Sequence, residues 1–291
     1  MVINYVTNAQ LCNIVRENIY KIPRDIDGVI GIPRGGMLIA SVISEFLNLP
    51  LYSVESFLRG EDIGFGAAGK TIVPSSHKKY IVVDDSASSG KSFRNIREIL
   101  STRDEKFVYV AAVCDDRKKL DCVDIVLSYV REFRLFELNM FRLPLIRAMI
   151  LDLDGVICEN PPTWIDFDEE KYVDFITNAR PKFPIRYAPL AICTTRILKY
   201  SSITTDWLKR NNVPYKNIYM LDLPSIKERF ENIKNPCVKN MKATAYNKYK
   251  KAILFIESNP KEAMHIFNMT GRPVLCTDNN TLYQKQQTKN I

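Results

Sequence analysis

Histidine is nearly absent from this 291-residue chain, which has only His77 and His265. Catalysis or metal binding built on imidazole therefore has little material. The seven cysteines are scattered and none forms a CxxC pair. That argues against a zinc cluster and against a disulfide framework. No apolar run approaches the ~18 residues of a membrane span, and the N-terminus lacks the basic, apolar and small-residue order of a signal peptide. A cytoplasmic protein is expected.

What the chain does have is an ordinary globular mix, 46% hydrophobic and 25% charged, with a net charge of +8. This composition excludes a mostly disordered chain. The positive balance favours phosphorylated or otherwise anionic ligands and is compatible with peripheral contact at an anionic membrane face. The basic runs Lys78-Lys79, Arg117-Lys118-Lys119 and Lys248–Lys251 read as solvated faces. With no recognition-helix, zinc-finger or RNA-binding aromatic signature, nucleic acid is not an expected partner.

Short apolar strands alternate with helical patterns twice along the chain. The first series predicts a helix over 8–20, strands at Gly28–Ile32, Leu51–Phe57, Tyr80–Val83 and Val108–Cys114, and helices over 37–47 and Ser92–Ser101. The second predicts strands at Ala148–Leu151, Pro189–Cys193, Ile218–Leu221, Ala252–Ile256 and Val274–Cys276. Such alternation implies α/β domains with parallel, doubly wound sheets. Two are expected, at residues 1–140 and 147–279, followed by a polar tail at 280–291.

The first chemical constellation is Tyr80–Phe93, YIVVDDSASSGKSF. A strand delivers Asp84 and Asp85, and the turn Ser86, Ala87, Ser88, Ser89, Gly90, Lys91, Ser92 opens a helix. Small residues let backbone amides wrap an anion, and a helix N-terminus adds unpaired N–H groups. Two carboxylates suit vicinal sugar hydroxyls or hydrated Mg²⁺. This stretch resembles the signature of type I phosphoribosyltransferases. The resemblance implies that Asp84 and Asp85 contact the ribose of phosphoribosyl diphosphate (PRPP), with Ser86–Ser92 holding its 5-phosphate. Upstream, GIPRGG at Gly31–Gly36 matches the family's diphosphate loop, through Arg34, Gly35 and Gly36. The segment Arg59–Lys70 stands where the family has its flexible lid. Members acting on 6-oxopurines often carry an acid at the position of Ser88, so a purine acceptor is disfavoured.

The second constellation is Ala148–Ile157, AMILDLDGVI. A strand ends in Asp152, with Asp154 two residues on. Carboxylates here can act as nucleophile and as acid/base toward a phosphate ester. The motif resembles the haloacid dehalogenase superfamily. By that resemblance Asp152 is the nucleophile, Asp154 the acid/base, Thr194 the phosphate-binding hydroxyl, Lys242 the charge-neutralising lysine and Glu257 the metal acid. Lys248, Lys250 and Lys251 are rivals to Lys242. Mg²⁺ is the implied cofactor, held by Asp152, Asp154 and Glu257 here and by Asp84 and Asp85 in the first domain. Only 40 residues separate Asp154 from Thr194 and 48 separate Thr194 from Lys242. That leaves little room for a cap over this Rossmannoid fold.

Together the two resemblances imply a chain that moves phosphoribosyl from PRPP to an acceptor and then removes the 5-phosphate. A glycan hydroxyl, free or lipid-linked, in bacterial polysaccharide assembly is the preferred acceptor. Nucleobase salvage with a nucleotidase domain and non-enzymatic PRPP sensing are the alternatives. A homodimer is left open by the sequence.

Overall fold

The computed structural model describes residues 2–61, 78–118, 120–131, 133–162, 169–225, 228 and 236–285. The chain divides between Glu137 and Leu138 into two compact units. The join, expected around residues 136–147, spans that division, and two short 3-10 turns, Met140–Arg142 and Pro144–Ala148, follow in the second unit.

In the N-terminal unit the strands are β1 (Asn4–Val6), β2 (Gly28–Gly31), β3 (Leu51–Ser53), β4 (Lys79–Ala87), β5 (Lys106–Cys114), β6 (Ile125–Tyr129) and β7 (Arg134–Phe136). The helices are α1 (Asn8–Asn18), α2 (Gly35–Leu47), α3 (Val54–Arg59) and α4 (Lys91–Leu100). Thr7 starts α1 with a reciprocal capping box: its Oγ1 accepts from the Gln10 amide at 3.1 Å while Gln10 Oε1 accepts from the Thr7 amide at 2.8 Å. The main sheet runs β3-β2-β4-β5-β6, and every pair in it is parallel. Successive strand residues point to opposite faces. Accordingly Val29, Ile81, Val83 and Val110 pack against Leu11, Val15, Ile39 and Ile43, while Ile30, Val82 and Ala111 pack with Phe57 and Phe93 on the other side. Both faces are buried, as an all-parallel sheet requires. β1 and β7 pair parallel in a separate two-stranded sheet.

Two local expectations need correction. Leu51–Phe57 is not one strand, because Ser53 caps α3 by accepting from the Ser56 amide at 3.0 Å. And β4 does not stop at Val83: it stays in register with β5 through Ala87↔Cys114, so the acidic pair lies on the strand itself.

The C-terminal unit contains β8 (Met149–Leu151), β9 (Ala191–Ile197), β10 (Ile218–Leu221), β11 (Leu254–Glu257), β12 (Val274–Cys276) and β13 (Thr281–Tyr283). Its helices are α5 (Glu169–Asn178), α6 (Ser201–Arg210), α7 (Pro236–Lys239), α8 (Met241–Lys248) and α9 (Pro260–Thr270). Sheet order is β10-β9-β8-β11-β12-β13, parallel except for the last, antiparallel pair. β13 falls inside the stretch expected to be a polar tail. Its Leu282 pairs with Leu275, and Tyr283 packs on the core around Phe255 and Ile266.

Candidate functional sites

In an open α/β sheet, ligands bind beyond the carboxyl ends of the strands where the strand order reverses. In the N-terminal unit that point lies between β2 and β4. β2 ends at Gly31 opposite Val83, and the Ile32 amide donates to the Val83 carbonyl at 2.8 Å. The loop Ile32–Gly36 therefore runs beside Asp84 and Asp85. The approach is close enough to demand glycine. A Cβ on Gly35 would fall 2.2 Å from Asp85 Oδ2, and one on Gly36 would fall 2.4 Å from the Val83 carbonyl. Arg34 is exposed beside this contact, after a cis Pro33–Arg34 peptide.

Asp84 is only 8% exposed, and its Oδ1 accepts from the Asp85 amide at 2.9 Å. Burial and the neighbouring Asp85 carboxylate push its carboxyl up to about 8. No cation of the described residues pairs with either acid. Past them, Ser86 is half-buried, Ala87 is buried, and Ser88, Ser89, Lys91 and Ser92 are exposed. Gly90 precedes α4 at φ +73°, where a Cβ would meet Cys122 Sγ at 2.5 Å. The result is a Ser-rich rim leading into a helix N-terminus. Arg59, the lid candidate, ends α3 and pairs with Glu61 at 2.8 Å. Residues 62–70 of the lid segment lie outside the described residues.

The C-terminal unit places a second cluster at its own strand-order reversal, between β8 and β11. Asp152 follows β8, and its amide donates to the Ile256 carbonyl at 2.9 Å. Thr194 lies on β9 and Glu257 ends β11, so the three belong to adjacent strands. From α8, Lys242 Nζ donates to Asp152 at 2.8 Å, Glu257 at 2.7 Å and Glu262 at 2.6 Å. Burial and Glu257 drive the Asp152 carboxyl well above the usual range, against the pull of Lys242. Burial disfavours the Lys242 charge, but Asp152, Glu257 and Glu262 outweigh it and hold the ammonium well above its usual value. A cavity of about 300 Å³ opens beside Lys242, lined among others by Thr195, Lys239, Asn259, Lys261 and His265.

Asp154 stands apart from this group. Arg196, fully buried on β9, grips its carboxylate with Nη2 at 2.6 Å and Nε at 3.1 Å. The side chain expected to serve as acid/base and metal ligand is thus committed to a guanidinium. Ser258 Oγ reaches the Asp154 carbonyl at 3.3 Å.

With this geometry in place, comparison with known proteins is informative for one unit. Residues 2–134 match the model of the phosphoribosyl transferase domain. The N-terminal unit carries a phosphoribosyl transferase domain. Among solved structures, the chain resembles a purine phosphoribosyltransferase from Pyrococcus horikoshii Ot3, at 18% identity over 47% of this chain and 95% of that one, TM-score 0.35. It also resembles the Helicobacter pylori xanthine-guanine-hypoxanthine phosphoribosyltransferase, at 18% identity over 46% and 92%, TM-score 0.36. An orotate phosphoribosyltransferase from Aeropyrum pernix aligns at 19% identity over 42% and 69%, TM-score 0.30. No curated protein matches the chain. The family match ends before the C-terminal unit begins.

Within the phosphoribosyl transferase domain, sequence reasoning missed the rim formed after β5. Asp115 is fully buried there and binds Arg117 through Nε at 2.8 Å and Nη2 at 2.5 Å. A pair of acids, Asp115-Asp116, closing an apolar strand directly before Arg117 was the available signal. In the C-terminal unit the missed residue is Arg196. It lies two residues after Thr194, and a charged residue inside a strand with no other charge signals a buried partner.

Among the described residues no three acidic, histidine or cysteine side chains converge as a metal cage. Mg²⁺ asks for less, being held by one or two carboxylates with water and substrate oxygens completing its shell. Asp84 and Asp85 fit that demand, since Asp84 is buried, Asp85 is half-buried beside it, and neither pairs with a cation among the described residues. Asp152 and Glu257 fit it too, because with Glu262 they share a single ammonium. The Asp154 carboxylate does not.

Proposed function

We propose that the chain transfers 5-phosphoribosyl from PRPP to an acceptor hydroxyl, and that the C-terminal unit then removes the 5-phosphate. The observation that carries the first step is the close approach of the 32–36 segment to β4 at the β2/β4 reversal, with Gly35 against Asp85 and Gly36 against the Val83 carbonyl. The ionised acids accept from the ribose hydroxyls. The amides at the head of α4 face the 5-phosphate, and the 32–36 loop with Arg34 faces the diphosphate. As the C1–O bond to diphosphate breaks, the electron pair leaves with diphosphate. The acceptor oxygen bonds C1 and gives up its proton. Mg²⁺ on Asp84 and Asp85 would neutralise charge on the leaving diphosphate.

For the second step, an Asp152 oxygen bonds phosphorus as the P–O bond to the ribosyl 5-oxygen breaks, water then hydrolyses the aspartyl phosphate to release phosphate, and Lys242 offsets the charge of the transferring group. The leaving ribosyl oxygen takes its proton from water, because the Asp154 carboxylate is committed to Arg196. Asp152 and Glu257 would hold Mg²⁺, which would supply Lewis-acid charge to the transferring phosphoryl group. A glycan hydroxyl remains the preferred acceptor, because Ser88 offers no carboxylate to a purine. Linkage in one chain keeps the intermediate close to the second site.

Product masses test this directly. The full chain is incubated with PRPP, Mg²⁺ and pooled glycan and nucleobase acceptors, beside an Asp152→Asn variant. The reading expects a ribosyl glycan from the wild type and a phosphoribosyl glycan from the variant. Phosphoribosyl product from both overturns the phosphatase step. A nucleoside or nucleotide product replaces the glycan with a base, and PRPP binding without any transfer favours a sensor.

A further inference from the structure

The loop that joins β4 to α4 has a feature that neither motif predicts. Three successive carbonyls each face a cation from a different part of the domain. Ala87 O accepts from Arg134 Nη2 on β7 at 3.0 Å, and Ser88 O accepts from Lys118 Nζ, beyond β5, at 3.3 Å. Ser89 O accepts from Arg94 Nη2 on α4. Gly90 sits over Cys122, whose Sγ lies 3.5 Å from its carbonyl.

A trans peptide sets its C=O and the following N–H in opposite directions. Drawing the carbonyls of residues 87–89 toward the cations therefore turns the N–H groups of Ser88, Ser89 and Gly90 to the opposite side. The Ser89 and Gly90 amides donate to no protein acceptor among the described residues. A cation on a carbonyl also polarises its peptide and strengthens the N–H it shares. Consecutive amides presented this way form an anion-binding concavity, and the cations sit behind it rather than inside it.

We propose that Arg94, Lys118 and Arg134 are positioning residues that hold the loop's amides convergent on the 5-phosphate of the donor. This rests on the phosphoribosyl reading above. Arg134 is the central member: it is half-buried, its bond to the Ala87 carbonyl ties β7 to the end of β4, and its Nη1 also reaches the Val130 carbonyl at 3.5 Å. Arg94 is the most easily replaced, since its side chain is 53% exposed.

Two probes separate this from general loosening of the domain. Ribose 5-phosphate carries the phosphate that the loop would hold, and inorganic diphosphate carries only the other end of the donor. Their dissociation constants are measured by calorimetry with Mg²⁺ on the full chain, as wild type, Arg134→Ala, Arg134→Lys and Arg94→Ala. Each alanine variant is expected to weaken ribose 5-phosphate about tenfold and to leave diphosphate within about twofold. Arg134→Lys should recover most of the loss, and the KM for PRPP should rise in the alanine variants while kcat holds. If Arg134→Ala does not fold, Arg94→Ala carries the same comparison. Unchanged ribose 5-phosphate affinity, or a parallel loss of both probes, overturns the proposal. If the wild type binds neither probe, the phosphoribosyl reading falls and this one falls with it.

Discussion

Replacing Asp84 with Asn should make the protein more stable while removing its affinity for the donor. The carboxyl sits at about 8 in the fold against an ordinary 3.8. Below pH ~4 both folded and unfolded chains hold the proton, and the group contributes nothing. Between ~4 and ~8 the folded state keeps a proton that the unfolded state releases, so wild-type stability falls as pH rises. Above ~8 the loss is complete, with an upper bound of about 6 kcal/mol at 1.36 kcal/mol per pH unit. Asn must still hydrogen-bond its amide in the same buried place, which leaves a net gain of about 2–4 kcal/mol. For the transition of the N-terminal unit that is a rise of about 5–15 °C. Thermal melts of wild type and Asp84→Asn at pH 5, 7 and 9, without Mg²⁺ or PRPP, read it directly. The gap between them should widen from pH 5 to pH 8 and then level. A gap that ignores pH, or a variant that melts lower throughout, refutes the idea that this acid is held against its own charge.

Further outcomes follow from other contacts. Because Asp84 must be ionised to accept ribose hydroxyls, affinity for Mg²⁺–PRPP should rise from pH 6 to pH 8, with about one proton released per donor bound at pH 6. Calorimetry in buffers of different ionisation enthalpy measures that proton, and uptake instead of release would contradict the assignment. Gly36→Ala forces a methyl against the Val83 carbonyl, 2.4 Å away. A loss of about 1–3 kcal/mol should appear in urea melts, together with weaker diphosphate binding. Lys242→Met strands Asp152 and Glu257 without a cation, at a cost of about 3–5 kcal/mol. The deficit should shrink at acid pH as Asp152, whose carboxyl is held well above its usual range, takes up a proton, and equal urea midpoints at pH 5 and pH 8 would count against the cluster.

The parts of the fold visible in the sequence are those written locally. Tyr80–Val83 and Ala148–Leu151 are compact apolar runs followed at once by acids and small residues, and both sit at strand-order reversals in the structure. Spacing does not distinguish Lys242 from Lys248, on the same helix, or from Lys250 and Lys251 just beyond it. What separates them is burial, with Lys242 5% exposed. Leu51–Phe57 misleads because its apolar content suits a strand, whereas the Ser53 cap decides the matter through one hydroxyl. β13 was hidden by polar neighbours, since only Leu282 and Tyr283 mark it as half-covered. Arg134, Lys118 and Arg94 could not be read at all. They lie 47, 30 and 5 residues from the carbonyls they meet, and only the three-dimensional path of the chain brings them together.

The pairing of β1 with β7 has a bearing on how the N-terminal unit can be cut and rejoined. Asn4, Tyr5 and Val6 lie in register with Arg134, Leu135 and Phe136, so the beginning and the end of the unit are fastened side by side, like a clasp. A chain shortened to stop before Arg134 would lose the clasp and the guanidinium on Ala87 in one stroke. A chain that keeps residues 1–137 retains both. With its ends so close, the unit is also a natural subject for circular permutation, in which new termini are opened elsewhere while the clasp becomes a continuous turn.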